Sequence, residues 1–238
     1  MQRTAALTPK GERTREHLLD TALRLFTAEG YEATTMRDIA AAADCSLGLA
    51  YRYFASKEEF VLALYARMEQ EFATYIETLP PAPLAQRFGQ TMRAKLTHLA
   101  PYREVFGVLA GAALNPRSNV AVLGDSTAEI RQRVSAMFLA VVRGATDAPR
   151  EPAARDLATA LYGAHLALIL FWLYDRTPNQ RATDELLGLA GDMLGIVRRL
   201  LRLPPVARML ARLVRIIGPV FEGKAEGAAS SAGMGDEG

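Results

Sequence analysis

The amino-acid sequence predicts an all-α fold in which a small three-helix head is joined to a larger helical bundle. Three observations carry that prediction. Apolar residues recur at three- and four-residue spacings over most of the chain, whereas the strict alternation of a half-buried strand is scarce. Proline and glycine gather at a few breaks instead of interrupting the periodic stretches. Half of the 238 residues are hydrophobic, enough to bury the core of one large or two modest domains.

Residues 1–7 read as a loose arm. Thr8 and Pro9 open the first helix, with proline at the first helical position, where its missing N–H costs nothing. Leu18, Leu19, Ala22, Leu25 and Phe26 form its buried stripe, and Gly30 ends it. Lys10, Arg13 and Arg15 are cations suited to a nucleic-acid backbone or, equally, to a solvated helix end. Residues 35–54 then read as two short helices joined by a tight turn. Thr35 with Asp38 has the form of a capping box, and Ile39, Ala40 and Ala43 supply the buried side. Asp44 and Cys45 break the pattern. Ser46 caps the second helix, whose Ala50 and Phe54 point inward while Gly48, Leu49 and Arg52 face the other way.

A short helix held at a fixed angle, with a glycine and a long cation outward, meets the requirement for entering the DNA major groove; an ordinary helical hairpin shares that pattern. Tyr51, Arg52, Tyr53, Ser56 and Lys57 add hydroxyls and cations where phosphates would lie. Arg52 is the candidate base reader, because a guanidinium matches the two acceptors of guanine, and Leu49 could meet a thymine methyl. Gly48 permits close approach. Tyr51, Tyr53 and Lys57 are phosphate candidates, with packing inside the head as the alternative for one of the tyrosines. The amide end at Thr35, with Arg37, suits another phosphate or a neighbouring base. Ser46 stands at the start of the same helix, and Leu47 lies at the border of its buried face and stays open.

Over about residues 13–65 the sequence resembles the TetR family of bacterial transcriptional regulators. The resemblance rests on residues 22–31 (ALRLFTAEGY), on Thr34, Thr35, Met36, Arg37, Asp38, Ile39 and Ala40, and on Tyr51, Arg52, Tyr53 and Phe54 followed by Ser56, Lys57 and Glu58. Two positions depart from the family pattern. Asp44 stands where the turn normally has glycine, and Ala50 where the recognition helix normally has a larger aliphatic. Aspartate tolerates the left-handed conformation better than most residues, so the turn is expected to survive. The resemblance implies a homodimeric regulator, expected to be a repressor, that reads a near-palindromic operator in double-stranded DNA. It also implies a small-molecule effector site in the body and a connecting helix that tilts when the effector binds. The implied division is a flexible arm at 1–7, a helix-turn-helix DNA-binding domain at 8–55, a connecting helix at 56–81, a ligand-binding and dimerisation domain at 82–222, and a disordered tail at 223–238.

Ser56 and Glu59 have the form of a second capping box, opening a helix to about Thr78 that buries Phe60, Leu64, Met68 and Phe72. Pro80, Pro81 and Pro83 end it. Further helices are predicted at about 84–99, 101–114, 126–143, 153–175, 183–203 and 206–221. In the fourth of these, Leu157, Leu161, Ala164 and Leu168 make one face and Leu166, Ile169, Leu170 and Leu173 another. A helix apolar on both sides needs cover on both, and a second subunit is the candidate second cover. In the next, Leu186, Ala190, Met193 and Val197 are expected toward the core, with Gly188, Gly191 and Gly195 on a separate stripe. Each glycine costs about 1 kcal/mol against alanine inside a helix, which predicts close approach by a neighbouring backbone or, as the alternative, a looser helix adapted to a ligand. That stripe and the Leu166 face are the candidate dimer interface. The last helix sets Arg208, Arg212 and Arg215 opposite Val206, Met209, Leu210, Leu213, Ile217 and Val220. Such a segment packs on its own domain or, in the alternative reading of the whole protein, lies on a membrane surface.

Composition narrows the classes. Twenty-eight Lys and Arg against twenty-six Asp and Glu give a net charge of +2, so the distribution of charge says more than its sum. Cys45, the single cysteine, excludes an intrachain disulfide, fits a reducing compartment, and reads as a small buried residue of the turn. The first thirty residues lack the apolar run of a secretory signal, and the apolar run at 161–174 contains His165 and is shorter than a bilayer span, so a cytoplasmic location is expected. His17, His98 and His165 lack metal-ligand spacing, and neither a phosphate-binding loop nor a nucleophile motif is present. No catalysis, metal or cofactor is expected. His98, Tyr102, Phe106, Phe138, Tyr162, His165 and Trp172 are the candidate pocket residues; each also reads as a core residue, and together they favour an apolar or aromatic effector held by one or two hydrogen bonds.

Overall fold

The computed structural model describes residues 8–222, so the expected arm and tail lie outside the described residues. Among the described residues ten α-helices follow one another: α1 Pro9–Glu29, α2 Met36–Ala42, α3 Leu47–Tyr53, α4 Lys57–Thr78, α5 Leu84–Leu99, α6 Arg103–Leu114, α7 Ala128–Arg143, α8 Ala153–Tyr174, α9 Arg181–Leu200 and α10 Pro204–Glu222. A single bridge, Ala82 with Ala145, is the β pairing among the described residues. The fold class is the one expected. The sixth and seventh helices begin later than their sequence signals, because the tighter 3-10 turns Ala100–Tyr102 and Asp125–Thr127 precede them.

Local chemistry sets the head. The Thr8 hydroxyl accepts from Gly11 N, and Gly30 closes α1 at φ +93°. Thr35 and Asp38 form the expected reciprocal capping box. The α2–α3 turn passes through Asp44 at φ +50°, the left-handed conformation its departure from glycine called for. The second capping box does not form as expected. Ser56 makes no side-chain cap, and the Glu59 carboxylate accepts instead from Ala55 N at 2.7 Å.

Two cores hold the chain together. The first is the head's own, built from Leu18, Phe26, Ile39, Ala50, Phe54 and Phe60, and it runs on into the body through Leu99, Leu109 and Trp172. The second lies among α4, α5, α7, α8 and α9 around Phe88, Phe138, Val141 and Leu161. Arginines finish the helix ends. Buried Arg87 donates to Leu79 O (2.9 Å) and Pro80 O (2.7 Å), carbonyls left unpaired where the prolines stop α4, and to Val141 O (3.0 Å) in the last turn of α7. Arg103 does the same for α8, through Trp172 O and Asp175 O.

The α8–α9 phase differs from expectation. Leu187 and Leu194, with Thr183, are the fully buried residues of α9; Leu186, Ala190 and Val197 are half-buried flanks, and Met193 is exposed. The helix is turned so that its 183–187–194 line meets α5 and α8. Helix α8 has the length and composition of a membrane span, but it is packed against α6, α7, α9 and α10 and buries Leu157, Leu161, Tyr162, His165, Leu168 and Trp172. Helix α10 rests Val206, Leu210 and Phe221 on the body, while Met209, Leu213, Ile216 and Val220 remain exposed.

Candidate DNA-binding face and effector cavity

Helices α2 and α3 are too short to be stable alone, so their geometry depends on the head core. Ala50 is fully buried and Phe54 stacks on Phe60 at 3.8 Å between centroids, fixing one side of α3. The small Ala50 side chain sits directly on that support. On the opposite side Gly48, Tyr51 and Arg52 are exposed and Leu49 is half-exposed. A Cβ at Gly48 would meet nothing within 4 Å, so the surface there is open to a flat partner. Ser46 Oγ accepts from Leu49 N at 3.1 Å and starts the helix. Leu47 and Tyr53 are half-buried against the head core, which separates Tyr53 from its exposed neighbour Tyr51.

Two candidates sit differently from their sequence reading. The Asp38 carboxylate accepts from Thr35 N (2.9 Å) and Thr35 Oγ1 (2.6 Å), and those bonds lower its pKa. The start of α2 therefore already holds an anion, leaving exposed Arg37 as the cation at this end. Lys57 turns back on the loop after α1. Its ammonium donates to Tyr31 O at 2.6 Å and stands 4.3 Å from the centre of the Tyr31 ring. It thus fastens α4 to the head. Arg15 likewise lies over Phe54, 4.8 Å from the ring centre. Cys45 is half-buried, and burial raises its thiol pKa.

The body holds a cavity of about 460 Å³, open to solvent on one side, bounded by α4, α5, α6, α7, α8 and the segment 116–124. Of the candidate pocket residues, His98, Phe106, Tyr162 and His165 line it. Tyr102, Phe138 and Trp172 do not. Tyr102 receives Arg67 Nη2 at its hydroxyl, Phe138 packs behind His165 at 4.9 Å, and buried Trp172 donates to Gln180 at 2.7 Å. Leu166, Ile169, Leu170 and Leu173, candidates for the dimer interface, face this cavity instead. The outward stripe of α8 is Ala164, Phe171 and Tyr174, while exposed Ala167 stands at the rim of the cavity. Gly188 is exposed, Gly191 and Gly195 are half-exposed, and none of the three would place a Cβ within 4 Å of another atom. Beside them Leu189, Met193, Ile196 and Leu200 are exposed. Sequence reading missed Lys95, which reaches the cavity from α5, because a lone lysine in a helical pattern carries no local signal.

This arrangement, a helix-turn-helix head on a helical body with a largely apolar cavity, is that of a DNA-binding regulator. The family profile described as "Bacterial regulatory proteins, tetR family" matches residues 18–64. The HTH-type transcriptional repressor KstR of Rhodococcus jostii (strain RHA1) is 30% identical over 172 residues, covering 71% of this chain and 76% of that protein. The HTH-type transcriptional regulator TcmR of Streptomyces glaucescens is 41% identical over 71 residues, a match that spans 30% of this chain and 31% of that relative's length. Among solved structures, a TetR-family regulator from Syntrophomonas wolfei has a TM-score of 0.62 at 19% identity, over 78% of this chain and 96% of that one. A TetR regulator from Nitrosomonas europaea has a TM-score of 0.57 at 24% identity, over 76% and 97%. The chain belongs to the TetR family of transcriptional regulators, which are DNA-binding proteins and not enzymes.

Proposed function

We propose that this chain is a repressor that works as a homodimer on a near-palindromic operator and is controlled by a small, largely apolar molecule bound in the body cavity. The observation that carries the reading is the outer face of α3, where Gly48, Leu49, Tyr51 and Arg52 are presented on a buried support of Ala50 and Phe54. Arg52 reads a guanine edge, Leu49 meets a base methyl, and Tyr51 and Arg37 take phosphates. Tyr53 and Lys57 act within the head, holding α3 and α4 in place.

Two such faces must reach successive major grooves, about 34–36 Å apart. The outward stripes of α8 (Ala164, Phe171, Tyr174) and α9 (Leu189, Met193, Ile196, Leu200, flanked by Gly188, Gly191 and Gly195) are the proposed dimer surface, burying apolar area exposed in one protomer. Helix α4 joins cavity and head: Tyr65, Met68, Glu69 and Phe72 line the cavity, and Lys57 at its start is bonded to the head. A ligand that fits the cavity better in one setting of α4 shifts the head spacing by no more than its differential affinity allows. Action on chromosomal DNA places the protein in the cytoplasm.

Selection of bound duplexes from a random pool, at a stated salt concentration, tests the reading. A two-fold sequence with half-sites one helical turn apart is expected. Enrichment of a single unrepeated half-site would contradict the dimer, and enrichment of nothing would contradict sequence reading by α3.

A further inference from the structure

We infer that the body cavity takes an apolar molecule ending in a carboxylate, an aliphatic or aromatic monocarboxylic acid, with the anion seated on Lys95 Nζ. This rests on the reading of the cavity as the effector site and names its ligand class. The cavity walls are mostly aliphatic and aromatic, among them Met68, Phe72, Phe106, Leu166 and Ile169. Into them projects the Lys95 ammonium, 5.3 Å from the centre of the Phe72 ring. Among the described residues no ion pair includes it.

The charges around it are unbalanced. Glu69, the carboxylate lining the cavity among the described residues, is already held by Arg133 Nε at 2.8 Å. Arg131 adds a further cation to the wall. Its Nε donates to Phe221 O (3.0 Å) and its Nη1 to Val122 O, Gly124 O and the Thr127 hydroxyl, all neutral acceptors, while Nη2 is buried without a partner. His165 contributes no charge. Its Nδ1 lies 3.1 Å from Tyr162 O and must donate to it, and burial, then Lys95, holds its pKa well below the usual histidine range. His98, beside Glu71 at 3.0 Å, has its own carboxylate.

Lys95 is half-buried, with no ion-pair partner in walls that are mostly apolar, and partial desolvation pulls its pKa down to about 8 even with Glu69 nearby. An anion with an apolar body answers both features: the carboxylate pairs with Lys95 and the body covers the walls. A neutral ligand leaves the ammonium unpaired, and a cationic one adds to the excess.

The test is calorimetric titration of the full chain at pH 7 with decanoate, 1-decanol and decylammonium. Decanoate is expected to bind about tenfold or more tighter than 1-decanol, as a charge-assisted hydrogen bond requires, with decylammonium weakest. Lys95→Met should abolish the preference for decanoate while leaving 1-decanol within about twofold of wild type, and Lys95→Arg should restore it. Equal binding of decanoate and 1-decanol by the wild type, tightest binding of decylammonium, or decanoate binding unmoved by Lys95→Met would each overturn the carboxylate assignment. In those cases loss of binding in Leu166→Trp, which fills the cavity, would still uphold the effector site. Failure of all three probes to bind the wild type would overturn both readings.

Discussion

Arg67 Nη1 on α4 stands 3.0 Å from Asp20 Oδ1 on α1, and Arg67 Nη2 reaches Tyr102 Oη at 3.4 Å. One guanidinium therefore links the head, the connecting helix and the turn that opens α6. Tyr65 and Met68, on either side of Arg67 in sequence, line the cavity. Proximity alone is not coupling, so the link has to be broken to be tested. Arg67→Met is expected to lower the melting temperature by about 4 °C at most, because a partly exposed ion pair contributes about 1 kcal/mol or less. It should at the same time bring the operator affinities measured with and without a cavity ligand closer together. An unchanged ratio in fluorescence anisotropy would remove Arg67 from the transmission path.

Lys57 separates two readings of one cation. If it anchors α4 to Tyr31 O, Lys57→Met should lower stability by about 1–3 kcal/mol in urea denaturation, the usual cost of losing a charged hydrogen bond to a half-buried group. An unmoved urea midpoint together with weaker binding to every duplex would instead make Lys57 a phosphate contact.

Asp175 closes the α8–α9 corner. Its Oδ1 accepts from Thr177 Oγ1 and N, and its Oδ2 from Thr183 Oγ1 and N, bonds that hold its pKa far below the usual aspartate value. A depressed folded-state pKa gives stability that is present above the unfolded value, about 3.9, and is lost as pH falls toward the folded one. Asp175→Ala should therefore melt below wild type at pH 7, and the gap should narrow as pH drops below about 4. A gap constant down to pH 3 would show that ionisation of Asp175 is not what stabilises the corner.

Gly191 sits on the outward side of α9, where a Cβ would meet nothing in its own protomer. Gly191→Phe should leave helicity intact by circular dichroism and yield monomers in light scattering. A dimer of unchanged mass would move the interface elsewhere.

The features legible in the sequence are those set within a few residues of their cause. The Thr35–Asp38 box, the Ser46 cap, Gly30 and the left-handed Asp44 all depend on neighbours in the chain. What long-range packing decides was not legible. The carbonyls that Arg87 and Arg131 satisfy include Val141 O and Phe221 O, 54 and 90 residues away. The Leu166–Leu173 face of α8 is apolar whether it meets a partner or a cavity, and periodicity cannot distinguish the two. The bond from Lys57 to Tyr31 O was not legible either, because nothing local shows that this carbonyl lies within its reach.

Base reading by the outer face of α3 is decided by measuring Arg52→Ala on the selected operator and on a scrambled duplex at the same salt concentration. Arg52 is exposed, so the variant should fold and melt as wild type does. Operator affinity is expected to fall by roughly tenfold or more, with relaxed preference at one base pair of each half-site and little change on the scrambled duplex. Equal losses on both duplexes, or no loss on either, would contradict it.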